Sequence, residues 1–139
     1  MAKENHILIG LGGTGGKVLK AFRKRLYQEY NAEEREQLPI GFLYVDSSIE
    51  MMKPDDKTWQ VLGENAQFNE NEFVNVKGID LNAVLANPSN YPGLKGIIGD
   101  AEVMRKTLGD VGAAAAQKRR AGRILFGSNI DKYKKALMA

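Results

Sequence analysis

The sequence contains no cysteine and a single histidine, His6. The first absence removes disulfides, thiolate catalysis and cysteine-ligated zinc or iron–sulfur centres together. The second leaves no histidine-rich metal site. It also weakens any serine–histidine–aspartate arrangement, because His6 heads an apolar run that reads as a buried strand and is expected to be structural. No stretch approaches the roughly 18 consecutive apolar residues of a membrane span. Residues Met1–Asn5 lack the apolar run of a secretory signal, so the protein is expected to be cytoplasmic, with no membrane partner. Aromatic residues make up only 8%, and none interleaves the basic cluster Lys118–Arg123 to stack on bases, so nucleic acid is not the expected partner.

What is present is ordinary for a soluble globular chain, with 43% apolar and 27% charged residues in 139. That length suits a single domain, residues 1–139, burying roughly two-thirds of its unfolded surface. The net charge is a modest +3. Its two basic clusters, Lys20–Arg25 and Lys118–Arg123, read as solvated helix faces.

His6-Ile-Leu-Ile-Gly10 is a short apolar run ending in glycine, as expected of a first, central strand buried on both faces. Val18, Leu19, Phe22, Leu26 and Tyr30 then recur at helical spacing, with Lys20, Arg23, Lys24 and Arg25 on the other side. The polar stretch Asn31–Gln37 ends that helix. Ile40–Val45 reads as a second buried strand, completing a parallel, right-handed βαβ unit. The fold class that follows is α/β, a three-layer Rossmann-like parallel sheet. Residues 53–98 read as an irregular insertion over the sheet edge, holding a short strand at Phe73–Val76 and a short helix at Leu81–Leu85. A further helix is expected from Gly99 through Val103 and Leu108. A small-residue loop, Gly109–Gly112 running into Ala113–Ala116, precedes a last helix from about Gln117. Phe126, Ile130, Tyr133 and Leu137 form its apolar stripe, and Ser128 with Asp131 has the form of a capping pair that would interrupt it.

The chemistry gathers at Gly10-Leu-Gly12-Gly13-Thr14-Gly15-Gly16, where the first strand hands over to a helix. Glycine lets the backbone approach a phosphate, and the free N–H groups and positive end of the following helix bind its charge. Gly10, Gly12 and Gly15 satisfy GxGxxG. A Walker A loop is excluded, because Leu11 and Val18 stand where it requires glycine and Ser or Thr. The plainer account is that the glycines only permit close strand–helix packing. Asp46, ending the second strand, is the natural second contact. It follows Gly15 by 31 residues, against about 20 in a standard dinucleotide unit, where such an acid holds the ribose. Asp46, Ser47 and Ser48 otherwise suit terminal phosphates or their magnesium ion, or Asp46 simply caps the turn into Ile49–Met52.

Taken in order, three stretches resemble the tubulin and FtsZ superfamily, most closely its bacterial tubulin-like branch. IGLGGTGGKVL at Ile9–Leu19 resembles the first glycine loop of FtsZ. FLYVDSSIEMM at Phe42–Met52 is similar to the loop after the second strand, where Asp46 matches the acid of tubulin better than the asparagine common in FtsZ. GAAAAQKRRAGRILF at Gly112–Phe126 looks like the third nucleotide loop and its helix. The resemblance implies GTP or GDP as ligand, with Mg2+, and self-association of full-length relatives into polymers that hydrolyse GTP between subunits. It implies that Gly10, Gly12, Gly13, Thr14, Gly15 and Gly16 form the phosphate loop. Asp46 and Ser47 would take the phosphate–magnesium end, and Ala114, Ala115, Ala116 and Gln117 the terminal phosphate. The resemblance places the family's GGGTGTG-like loop, its guanine contacts and its catalytic acids after the last helix, outside the stretches matched here, as expected of a truncated chain or of a half-domain that has lost the activity. The chain as given is therefore expected not to be a competent GTPase, and the Phe126–Leu137 stripe is expected to be covered by a C-terminal remainder of the domain or to drive association. The other class of function open to the residues is a Rossmann-type NAD(P)-binding module of an oxidoreductase.

Overall fold

The continuous apolar run of the second strand sets the architecture. In a computed structural model, which describes residues 4–77, 80–108 and 119–139, strand β2 (Ile40–Asp46) lies between β1 (His6–Leu11) and β5 (Phe73–Asn75). Both pairings are parallel, with Leu8 beside Phe42, Gly10 beside Tyr44 and Val45 beside Val74. Residues paired in this way share a face of the sheet. Leu8, Phe42 and Tyr44 therefore meet helix α1 (Gly12–Glu29) together with Leu19, Trp59, Val61, Ala66 and Phe68. Leu43, Val45, Val74 and Val76 meet the opposite layer, helices α5 (Arg119–Ser128) and α6 (Ile130–Met138), through Leu125, Phe126 and Tyr133. The expected βαβ unit and three layers are thus in place.

The position of β1 differs from the sequence expectation. Among the described residues it is an edge strand, not a central one, and only its α1 side is covered. His6 is exposed, and so are Ile7, Ile9 and Leu11, at 57%, 45% and 65%. An apolar run reports that a strand can be buried on both faces; how many neighbours it receives is a non-local matter. Among the described residues, β2 alone has strands on both sides and helices on both faces.

The stretch 53–98, expected to be an irregular insertion with a short strand at Phe73–Val76, supplies that strand as the third of the sheet. Before β5 it forms a small hairpin, β3 (Gln60–Val61) and β4 (Glu64–Asn65), turning at Leu62 and Gly63, both at positive φ. The two-residue loop with both residues left-handed is the turn whose twist matches a hairpin. The basic cluster on α1, expected to be solvated, holds this segment down. Arg23 donates to the Ala66 carbonyl at 2.7 Å and to Glu72 at 2.8 Å, Lys24 donates to the Thr58 carbonyl at 2.8 Å, and Lys20 pairs with Asp56 at 3.4 Å.

Beyond β5, helices α3 (Leu81–Ala86) and α4 (Ala101–Leu108) pack with α5 around Val84, Leu85, Leu94, Met104, Leu108 and Ile124. The last helix is interrupted next to the expected place, α5 ending at Ser128 and α6 starting at Ile130 after Asn129. The proposed cap is not made: Ser128 Oγ donates back to the Ile124 carbonyl at 2.6 Å, and Asn129 stands before α6. The Asn129 amide instead donates to the Val76 carbonyl at 3.1 Å and the Leu125 carbonyl at 2.8 Å, tying the break to the sheet edge. Of the stripe expected to await further chain, Phe126 and Tyr133 meet each other edge-on at 5.0 Å and pack against the sheet layer, whereas Leu137 is exposed. No helix among the described residues is long and apolar enough to cross a membrane.

Candidate functional site

Strand β1 ends at Leu11, and α1 begins at once on Gly12, which turns the chain at φ +66°. No side chain caps this helix start. The first four N–H groups of a helix have no intrahelical partner, and they carry the positive end of its dipole.

The five glycines of the turn divide into two groups. A Cβ on Gly10 would lie 2.6 Å from Leu19 Cδ1 and 2.8 Å from the Gly15 carbonyl oxygen; one on Gly15 would lie 2.8 Å from the Gly10 carbonyl carbon; one on Gly16 would lie 2.6 Å from the Tyr44 ring. These three let α1 sit directly on β1 and β2. A Cβ on Gly12 or Gly13 would meet nothing within 4 Å. Gly13 and Thr14 are exposed. The packing account of the glycines therefore describes Gly10, Gly15 and Gly16, whereas Gly12, Gly13 and Thr14 form an open ledge at the positive end of an 18-residue helix.

Asp46 ends β2, and the register that sets Leu11 beside Val45 brings it level with the start of the ledge. Both of its carboxylate oxygens are engaged. The Tyr44 hydroxyl donates to Oδ2 at 2.5 Å, and the Ser48 N–H donates to Oδ1 at 3.0 Å. The second bond is the turn-capping role expected of Asp46 in its plainer reading, and Ser48 Oγ extends the turn by accepting from the Glu50 N–H at 3.2 Å. Ser47 is buried beside it. Tyr44 is fully buried, and burial, followed by the hydrogen bond to Asp46 and that residue's charge, pushes its phenol well above its ordinary range. Sequence reasoning passed over Tyr44. The signal was available in the period of two that puts residues 44 and 46 on one face of a strand.

Ala114, Ala115, Ala116 and Gln117 lie outside the described residues. Among those described, no cluster of three or more His, Asp and Glu could hold a metal ion. A single half-exposed carboxylate suits Mg2+ only where phosphates and water complete its octahedron, the usual arrangement for that ion. A cavity of about 510 Å3 lies elsewhere, between α4 and α5 beside Asp100, Val103, Arg119, Arg120 and Arg123, and no residue of the glycine turn lines it. Chemistry locates the candidate site better than volume does, because anion binding at a helix start needs free N–H groups and not enclosure.

A parallel α/β sheet with a glycine turn opening the helix after its first strand, and an acid at the end of the next strand, defines a Rossmann-like domain. The sequence model of a family described as tubulin-like matches residues 7–139, and the chain belongs to that family. Comparison with curated proteins and with solved structures gives no significant match.

Proposed function

We propose that this chain is the phosphate-binding front part of a GTP-binding domain of the bacterial tubulin-like branch, working in the cytoplasm. The observation that supports it most is the open ledge of Gly12, Gly13 and Thr14 at the start of α1, level with Asp46, in a chain of the tubulin-like family. In this reading the ledge N–H groups hold the phosphates of GTP or GDP. Gly10, Gly15 and Gly16 keep the turn seated, Asp46 and Ser47 face the Mg2+ end, and Ala114–Gln117 close on the terminal phosphate. The uncovered side of β1 is where more of the sheet docks, so self-association and the remainder of a larger domain are its natural partners. Contiguous exposed apolar surface on an edge strand favours such docking.

The position of Asp46 at the end of β2 also fits a ribose-binding acid, which keeps NAD(P) as the second reading. Calorimetric titration with GTP, GDP, ATP and NAD, each with Mg2+, separates the two. Weak binding of GTP and GDP in preference to NAD is expected, since the chain supplies phosphate contacts and little for a base. Tight, selective NAD binding would overturn the GTP reading. Phosphate release from GTP should stay at the buffer rate at every protein concentration, because hydrolysis needs a base within reach of the attacking water as well as charge on the γ-phosphate. A rate that rises with concentration and is lost in Asp46→Ala would contradict this.

A further inference from the structure

We infer that Tyr44 is a positioning residue, which fixes the carboxylate of Asp46 toward the ligand and joins it rigidly to the glycine turn. The magnesium part of this inference rests on the nucleotide reading above.

An aspartate at the end of a strand has little to hold it, since its terminal torsion is broad and Asp46 is only half buried. Here the carboxylate is fixed from two sides, by the Tyr44 hydroxyl and the Ser48 N–H. The hydroxyl is itself immobile. The Tyr44 ring is fully buried, stacked on Phe73 at 5.1 Å and tilted against Phe68 at 6.0 Å. Its edge lies against Gly16, where a Cβ would come within 2.6 Å of Cε2 and 2.9 Å of Oη. One side chain thus touches the first turns of α1 and holds the acid at the end of β2. Being buried, it acts through Asp46 and not on the ligand. An ionised carboxylate offers about four acceptor directions. The two protein hydrogen bonds occupy one on each oxygen, and the others stay available for water on Mg2+ or a ligand hydroxyl.

The full chain and its Tyr44→Phe, Asp46→Asn and double variants test this. Tyr44→Phe keeps the ring against Gly16 and Phe73 and deletes only the donor. Three-bond couplings across the Asp46 Cα–Cβ bond should report one rotamer in the parent and an average in Tyr44→Phe. The affinity for GDP without Mg2+ should be unchanged. The gain on adding Mg2+ should fall about tenfold, as for other residues that orient a metal-binding group. Asp46→Asn should remove that gain, and Tyr44→Phe should then add no further loss, the signature of two residues acting as one unit. An unchanged Asp46 rotamer in Tyr44→Phe overturns the inference, and so does a loss of GDP affinity that is equal with and without Mg2+. If the parent binds no GDP, the nucleotide reading and the magnesium role fall together, and the couplings still decide the positioning.

Discussion

Gly16→Ala is expected to destabilise the chain by about 3 kcal/mol, the upper part of the range for forcing one methyl into a packed interior. The new Cβ would sit 2.6 to 2.9 Å from three atoms of Tyr44, closer than real side chains approach. Relief requires Tyr44 to move, and Tyr44 is held by Phe73, by Phe68 and by its bond to Asp46. The alternative is to lift α1 off the sheet, which opens the cluster of Leu19, Trp59 and Phe68. Gly13→Ala, three residues earlier, meets nothing within 4 Å and exchanges glycine for a better helix former. It should change stability by less than about 1 kcal/mol in either direction. Urea midpoints of the two variants check the contrast. A Gly16→Ala protein as stable as the parent would show that the turn does not depend on the Tyr44 contact.

Trp59→Ala should cost about 4 kcal/mol, as expected for emptying a buried aromatic site. Trp59 is fully buried, its indole N–H donates to the Met51 carbonyl at 2.7 Å, and its ring packs edge-on against Phe68 at 5.2 Å under the Lys20 ammonium at 4.5 Å. It is the point at which the segment between β2 and β5 is fastened to α1. The loss should therefore spread to the sheet. The Tyr44 N–H donates to the Glu72 carbonyl at 2.7 Å and the Val76 N–H to the Asp46 carbonyl at 2.9 Å, and both bonds depend on that segment staying down. Hydrogen exchange at Val76 should speed up in Trp59→Ala even where the helices stay protected. Unaltered protection at Val76 together with a small stability loss would show that β5 pairs independently of the segment before it.

The glycine turn, α1, β2 and the place of Asp46 were legible because each is written locally, as a glycine cluster, a helical period or an apolar run. The edge position of β1 was not, because an apolar strand reads the same whether its neighbours are present or absent. The short strand at Phe73 was legible as a brief apolar run, whereas the two-residue arms of the hairpin Gln60–Asn65 are shorter than the window in which a period can be recognised. Lys20, Arg23 and Lys24 read as solvent-facing because their partners, Asp56, Thr58, Ala66 and Glu72, lie 34 to 49 residues away. At the candidate site, sequence grouped five glycines by type. Only the geometry separates Gly10, Gly15 and Gly16, which pack, from Gly12 and Gly13, which face open space.

The central claim is that the ledge at the start of α1 receives a phosphate. Backbone amide shifts recorded while GDP and Mg2+ are titrated into the labelled chain test it directly. Gly12, Gly13, Thr14 and Gly15 should move first, with Asp46 and Ser48 following when Mg2+ is present, while the β3–β4 hairpin and α4 stay still. Shifts confined instead to Arg119, Arg120 and Arg123 at the cavity beside α4, or a glycine turn that answers to NAD and not to GDP, would contradict the account.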